Sequence, residues 1–273
     1  MRYAICNETF GDWPHERVCT TVAELGYTGL EVAPFTLAPL ITDVTTAQRR
    51  DFRQVAESHD LTIFALHWLL AKTSGFYLNS PDPAIQKKTG RYLADLAIAC
   101  ADLGGSIMVL GSPKQRDLLP GVTKSQADDY ACQTLSHALD TLTMTGVTLA
   151  LEPLGPSETN YWNTAVETVS VIDRLSHPHV RLHLDVKAMC SESIPISDVI
   201  RKNIRHMVHF HANDPNLRGP GMGEVDFTPI FAALKETGYA GWVSVEPFDY
   251  SPDPLTVARE SIAYMKRIEA QIG

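Results

Sequence analysis

The chain has 273 residues, 44% of them hydrophobic and 20% charged, the balance of an ordinary soluble globular protein. Its formal net charge of −9 disfavours a nucleic-acid or anionic-membrane partner, which would need basic patches, and no block of like charge hides a basic tail. Cys6, Cys19, Cys100, Cys132 and Cys190 are odd in number and form no CxxC, and no apolar run approaches the ~20 residues of a membrane span, so a cytoplasmic protein without disulfides or a thiolate zinc site is expected.

Strand formers at Tyr3–Asn7 precede Gly11-Asp12-Trp13-Pro14, where Pro14 suits the first turn of a helix running to Leu25. Gly26 ends that helix and Gly29–Val32 is strand two. A helix from Thr45 or Thr46 through Glu57 leads to strand three, Leu61–His67. The connection Trp68–Pro81 is long enough to read as a lid or binding loop. Pro83–Leu103 carries Leu93, Leu96, Ala97 and Cys100 at the spacing of a buried helical stripe. Strand four, Ser106–Leu110, runs into Gly111-Ser112-Pro113, read mainly as a turn. Thr123 caps one helix reaching Met144, and Gly146 leads into strand five and Glu152. In the second half, a helix from Asn163 or Thr164 to Leu175 precedes strand six, which ends at Asp185. A helix around Ile196–Lys202 precedes strand seven and His211, Phe227–Thr237 precedes strand eight and Glu246, and Thr256–Ala270 closes the chain.

Eight strands thus alternate with eight helices and no linker interrupts them. Strands joined by crossover helices pair in parallel, and eight such units close into one α/β domain over 1–273, a TIM barrel. The alternative, an open doubly wound sheet, would want a GxGxxG after an early strand, and there is none.

Four strands, five to eight, end in Glu152, Asp185, His211 and Glu246, each about one βα unit of ~30 residues beyond the last. Neighbouring barrel strands lie ~4.8 Å apart, so four side chains at their C-terminal ends can surround one ion on the face where barrel enzymes do chemistry. A lone carboxylate or His at a strand end is more often a capped turn; four in succession favour a site. Three carboxylates with one imidazole suit Mn²⁺ first, and Mg²⁺, Co²⁺ or Zn²⁺ next. Strand alternation puts His183 under Asp185 and His209 under His211, level with Ala150 and Ser244, where they support the ligands or fill the barrel. His67 ends strand three on the same face and is a candidate substrate contact, against an equally weighted core-capping role; Trp13, Trp68 and Phe248 could wall an apolar side.

The runs Leu149-Ala-Leu-Glu152-Pro, Leu184-Asp185, His209-Phe-His211-Ala-Asn-Asp214 and Val245-Glu246-Pro resemble the xylose-isomerase-like TIM barrel superfamily, in particular its sugar isomerases and epimerases such as the tagatose and psicose 3-epimerases, with inosose dehydratase and hydroxypyruvate isomerase nearby. The resemblance implies that Glu152, Asp185, His211 and Glu246 are metal ligands, that Glu152 and Glu246 form the acid/base pair, and that Arg218 lies near the substrate. It departs at Ala188, where the family's epimerases carry His; Lys187 or His67 are the candidate replacements. The loop from Asp214 through Arg218 to Gly223 then reads as the substrate side. The expected activity is isomerisation or epimerisation of a sugar or sugar phosphate by proton abstraction and return through an enediolate. Dehydration of a polyol or keto-inositol, and non-catalytic binding of a metal or small molecule, are the competing readings. An apurinic endonuclease, which shares the barrel, fits poorly: Ala188 removes one expected ligand, strand four ends without His, and Phe227-Thr228 follows Asp226 where Asp-x-His is required. The expected partner is a small carbohydrate or polyol, and a homo-oligomer is compatible with the sequence.

Overall fold

Eight runs of strand formers pair in parallel, each with its neighbour in sequence, and the last closes on the first: β1 (Arg2–Cys6), β2 (Gly29–Val32), β3 (Thr62–Leu66), β4 (Ile107–Leu110), β5 (Thr148–Leu151), β6 (Val180–Asp185), β7 (Met207–Ala212) and β8 (Trp242–Val245). The computed structural model describes residues 1–273. The strands are four to six residues long and almost wholly buried, as parallel strands covered by crossover helices must be.

The helices are α1 (His15–Glu24), α2 (Thr46–Ser58), α3 (Pro83–Asp102), α4 (Lys124–Ser136), α5 (Leu139–Thr145), α6 (Ala165–Leu175), α7 (Val186–Met189), α8 (Ile196–Asn203), α9 (Thr228–Glu236) and α10 (Pro254–Gln271). Their starts follow local chemistry. Thr45 and Thr123 form full capping boxes with Gln48 and Gln126, while Asp82 and Asp253 cap helices that begin with proline. The expected helix from Thr123 to Met144 is two helices, because the chain breaks at His137 and Ala138 before α5 resumes. The turn α7 was not expected. It exists because the Asp185 carboxylate caps it, accepting the Ala188 N–H at 2.8 Å.

Apolar faces of helices and strands meet in a cluster of 63 buried residues between the two layers. A smaller cluster, including Phe64 stacked on Trp242, plugs the floor inside the barrel. Above that floor the interior turns polar, with Glu31, His183, His209 and His211 all fully buried.

Barrel closure staggers the strands. His183 pairs with His209 and Asp185 with His211, as alternation requires, but His211 pairs with Ser244, which had been expected level with His209. On the other side Leu151 pairs with Leu182, so one further step brings Glu152 beside His183 rather than Asp185. The four strand-end residues therefore climb around the barrel as a spiral, the shear that closing a sheet imposes. All five cysteines are free, and no helix is long and apolar enough to cross a membrane.

Candidate active site

Glu152 is the first residue past β5. Its N–H donates to the Leu110 carbonyl at 3.2 Å, and its carboxylate lies over Gly111, where a Cβ would stand 2.1 Å from Oε2. Glycine at 111 is thus the space that the Glu152 carboxylate occupies. No hydrogen bond reaches that carboxylate; its nearest basic neighbour is His183 Nε2 at 3.7 Å. Asp185, at the end of β6, is held on both oxygens, by the Ala188 N–H and by Asn213 Nδ2 at 2.5 Å.

Glu246 is held most tightly. Oε1 accepts from Trp68 Nε1 at 3.0 Å and lies 3.0 Å from His67 Nδ1, and Oε2 lies 3.0 Å from His211 Nδ1. The other nitrogen of each imidazole also meets a carboxylate: His67 Nε2 is 2.9 Å from Glu8 Oε2, and His211 Nε2 is 3.1 Å from Glu31 Oε2. Glu31 further binds His209 Nε2 at 2.9 Å.

This wiring separates the charges. Burial opposes protonation of His67 and His211, but the carboxylates on either side overcome it and raise both pKa values well above the ordinary histidine value. The same pairs hold Glu246 and Glu31 low despite burial. Burial raises Glu152 well above a normal glutamate, and the charges of Glu246 and Asp185 add to the effect. For the same reasons Asp185 is pushed up to about 6. Burial keeps His183 and His209 neutral.

Ligand atoms of Glu152, His183, Asp185 and His211 all lie within 4.8 Å of one another, and Glu246 adjoins this group through His211. The set fits a divalent cation on two counts: carboxylate oxygens with imidazole are donors for such an ion, and both ring nitrogens of His183 are buried without a hydrogen-bond partner. Over the group opens a small cavity, lined by the polar side chains of Glu152, Asp185, Glu246 and Lys187 and by the apolar ones of Trp68, Leu154 and Phe248.

Lys187 reaches this cavity, with Nζ 2.6 Å from a Glu158 oxygen and 4.5 Å from the centre of the Phe248 ring. His67 also lines it, but both ring nitrogens are engaged, which suits orienting Glu246 better than touching substrate. Arg218 and Asp214 do not line it. The Arg218 guanidinium donates to the Ser251 carbonyl at 2.5 Å, and Asp214 folds its own loop by accepting the Val225 N–H at 3.0 Å. His209 belongs to Glu31, and His183 packs edge-on to His211 with ring centres 4.1 Å apart.

Sequence reasoning missed Glu8, Glu31, Glu158, Arg116 and Asn213. Glu31 did carry a signal, a carboxylate inside a four-residue strand that is otherwise Gly, Leu and Val. Glu158 and Arg116 sit in loops, where no periodicity marks direction.

The family model described as xylose isomerase-like TIM barrel matches residues 19–268. Among curated proteins the chain is 28% identical over 229 residues to D-psicose 3-epimerase of Ruminiclostridium cellulolyticum, covering 83% of this chain and 76% of that one. It is 26% identical over 241 residues to L-ribulose 3-epimerase of a Methylomonas species, covering 87% and 81%. Among solved structures, D-psicose 3-epimerase with D-tagatose from Clostridium cellulolyticum superposes with a TM-score of 0.85 at 22% identity, over 100% of this chain and 99% of that one.

Proposed function

The chain belongs to the xylose isomerase-like TIM barrel family, and we propose that within it the protein is a divalent-metal-dependent ketose epimerase that inverts a carbon next to the carbonyl. The observation that carries this reading is the placement of two glutamates, differently held, on one cavity. Glu246 is fixed by Trp68, His67 and His211, whereas the buried carboxylate of Glu152 accepts no hydrogen bond and faces the same cavity. Two carboxyl groups facing one cavity suit a base and an acid. The curated relatives named as ketose epimerases support the same substrate class.

In the proposed reaction Glu246 takes the proton from the C–H beside the carbonyl, and Glu152 returns one to the opposite face. The carbon inverts, and the two glutamates exchange roles for the reverse direction. Glu152, Asp185, His211 and Glu246 would hold the cation, with His183 beneath them and Mn²⁺ the ion we favour. When bound, a divalent cation supplies the Lewis acidity that polarises the carbonyl and steadies the enediolate oxygen. Trp68, Leu154 and Phe248 cover the apolar face of the sugar, and the Lys187–Glu158 pair offers a donor and an acceptor to its hydroxyls.

The test is solvent-deuterium incorporation into D-psicose, D-fructose and D-tagatose with Mn²⁺. Exchange at the carbon beside the carbonyl, lost in Glu152→Gln and in Glu246→Gln while sugar binding persists, is the expected result. Full activity in both variants overturns the two-glutamate mechanism. Binding without any exchange moves the protein to a non-catalytic role, and loss of water from a polyol to a dehydratase.

A further inference from the structure

The site carboxylates have a neighbour that takes no part in the proposed reaction. Arg116 follows the 3₁₀ turn Pro113–Gln115 beyond β4, and its side chain is buried at 1% exposure. A buried guanidinium normally pairs with a carboxylate, because stripping water from it is costly otherwise. This one instead uses main-chain acceptors. Nη1 donates to the carbonyl of Glu152 at 2.6 Å and Nη2 to the carbonyl of Trp162 at 3.4 Å, while Nε has no partner. Burial lowers its pKa to about 10, with partial recovery from Glu152, so it stays charged at neutral pH.

Glu152 is therefore clamped on both sides of its own backbone, N–H on Leu110 and carbonyl on Arg116. Its carboxylate, by contrast, accepts no hydrogen bond; it lies over Gly111, with His183 Nε2 3.7 Å away. The held peptide is the fixed end from which that side chain extends. The backbone of Arg116 is itself held from the loop that follows β3, since its carbonyl accepts from the buried Asn79 at 2.8 Å. The adjacent Asp117 braces the same loops without reaching Glu152, accepting from Thr159 Oγ1 at 2.8 Å and the Asn160 N–H at 3.2 Å.

We infer that Arg116 is a positioning residue: through the Glu152 carbonyl it aims the Glu152 carboxylate, and so sets how tightly the site takes up a divalent cation. This rests on the metal reading above. The role is geometric, because the planar fork holds its donors at a fixed spacing towards the two carbonyls, whereas the donors of an ammonium rotate on a flexible stem. Lysine at 116 keeps the positive charge and any repulsion of the ion, and so isolates the fork.

The experiment is Mn²⁺ titration of the full chain, following free Mn²⁺ by electron paramagnetic resonance, with circular dichroism melts to establish that each variant is folded. Arg116→Lys and Arg116→Met are expected to bind Mn²⁺ about 10–100-fold more weakly, the usual range for groups that orient a ligand. Asp117→Asn is expected to stay within about twofold of the unaltered chain, since it loosens the loops but not Glu152. If Arg116→Met fails to fold, Arg116→Lys decides. An Arg116→Lys variant that binds Mn²⁺ like the unaltered chain overturns the inference, and so does an equal loss in Asp117→Asn, which would assign the effect to loop packing. An unaltered chain that takes up no Mn²⁺ overturns the metal reading itself, and this role with it.

Discussion

Gly111→Ala separates function from stability. A Cβ there would stand 2.1 Å from Glu152 Oε2, whereas ordinary contact begins at 3.4 Å, so the carboxylate must retreat by about 1.3 Å. The next obstacle, Leu154 Cδ1 at 3.8 Å, is already at contact distance and needs no movement. Gly111 is not among the positive-φ residues, so alanine suits its backbone. Folding should not suffer, because the tip of a flexible side chain yields cheaply and alanine restricts the unfolded chain, a gain of about 0.4–1 kcal/mol. Catalysis should suffer, since a misplacement of ~1 Å costs about 100-fold, or ~2.7 kcal/mol at the barrier. The expected outcome is kcat/KM for ketose epimerisation down about 100-fold with Tm unchanged or raised. Unaltered kcat/KM in a folded Gly111→Ala protein would refute the placement of Glu152 at the reacting carbon.

Three further outcomes follow from the same geometry. Trp68→Phe keeps the apolar wall but removes the N–H from Glu246 Oε1, so kcat should fall about tenfold with KM little changed, as for loss of a hydrogen bond to a charged group. Lys187→Met frees Glu158 and removes a donor from the cavity; KM should rise about tenfold with a smaller change in kcat, read from steady-state kinetics on the best ketose. In EDTA the chain should lose stability as pH rises above about 6.5, because folded His67 and His211, whose pKa values are raised, keep protons that the unfolded chain releases. Glu152, also raised, acts in the same direction. Each group contributes a slope of up to about 1.4 kcal/mol per pH unit between its unfolded and folded pKa values. Melting temperatures across pH 6.5–8.5 read this directly: a flat profile in EDTA contradicts the buried proton network, and Mn²⁺ should reduce the slope by taking the place of the protons on His211 and Glu152.

Much of the barrel is legible in the sequence. Short apolar strands, glycines past helix ends and Thr or Asp caps recur along the chain, and each is a local steric or hydrogen-bonding preference that survives folding. Glu152, Asp185, His211 and Glu246 stand out because a charged or imidazole group at the end of an apolar strand has few places to go except the open face of the barrel. The loops were less legible. Asp214 and Arg218 looked like substrate contacts from their position after β7, yet the loop turns their side chains onto itself and onto Ser251. Position in sequence orders a loop but does not aim its side chains.

Sequence alone determined which residues end the strands, and therefore which groups share the open face of the barrel. The tertiary structure decided how those groups are joined. Shear set Glu152 beside His183 and His211 beside Ser244, a stagger that no single strand encodes because it exists only once eight strands have closed. Closure also brought Glu8, Glu31 and Trp68 from the first third of the chain against His67, His211 and Glu246. The protonation of the site depends on those long-range contacts, because a pKa answers to charges within a few ångströms in space, however far apart they lie along the chain.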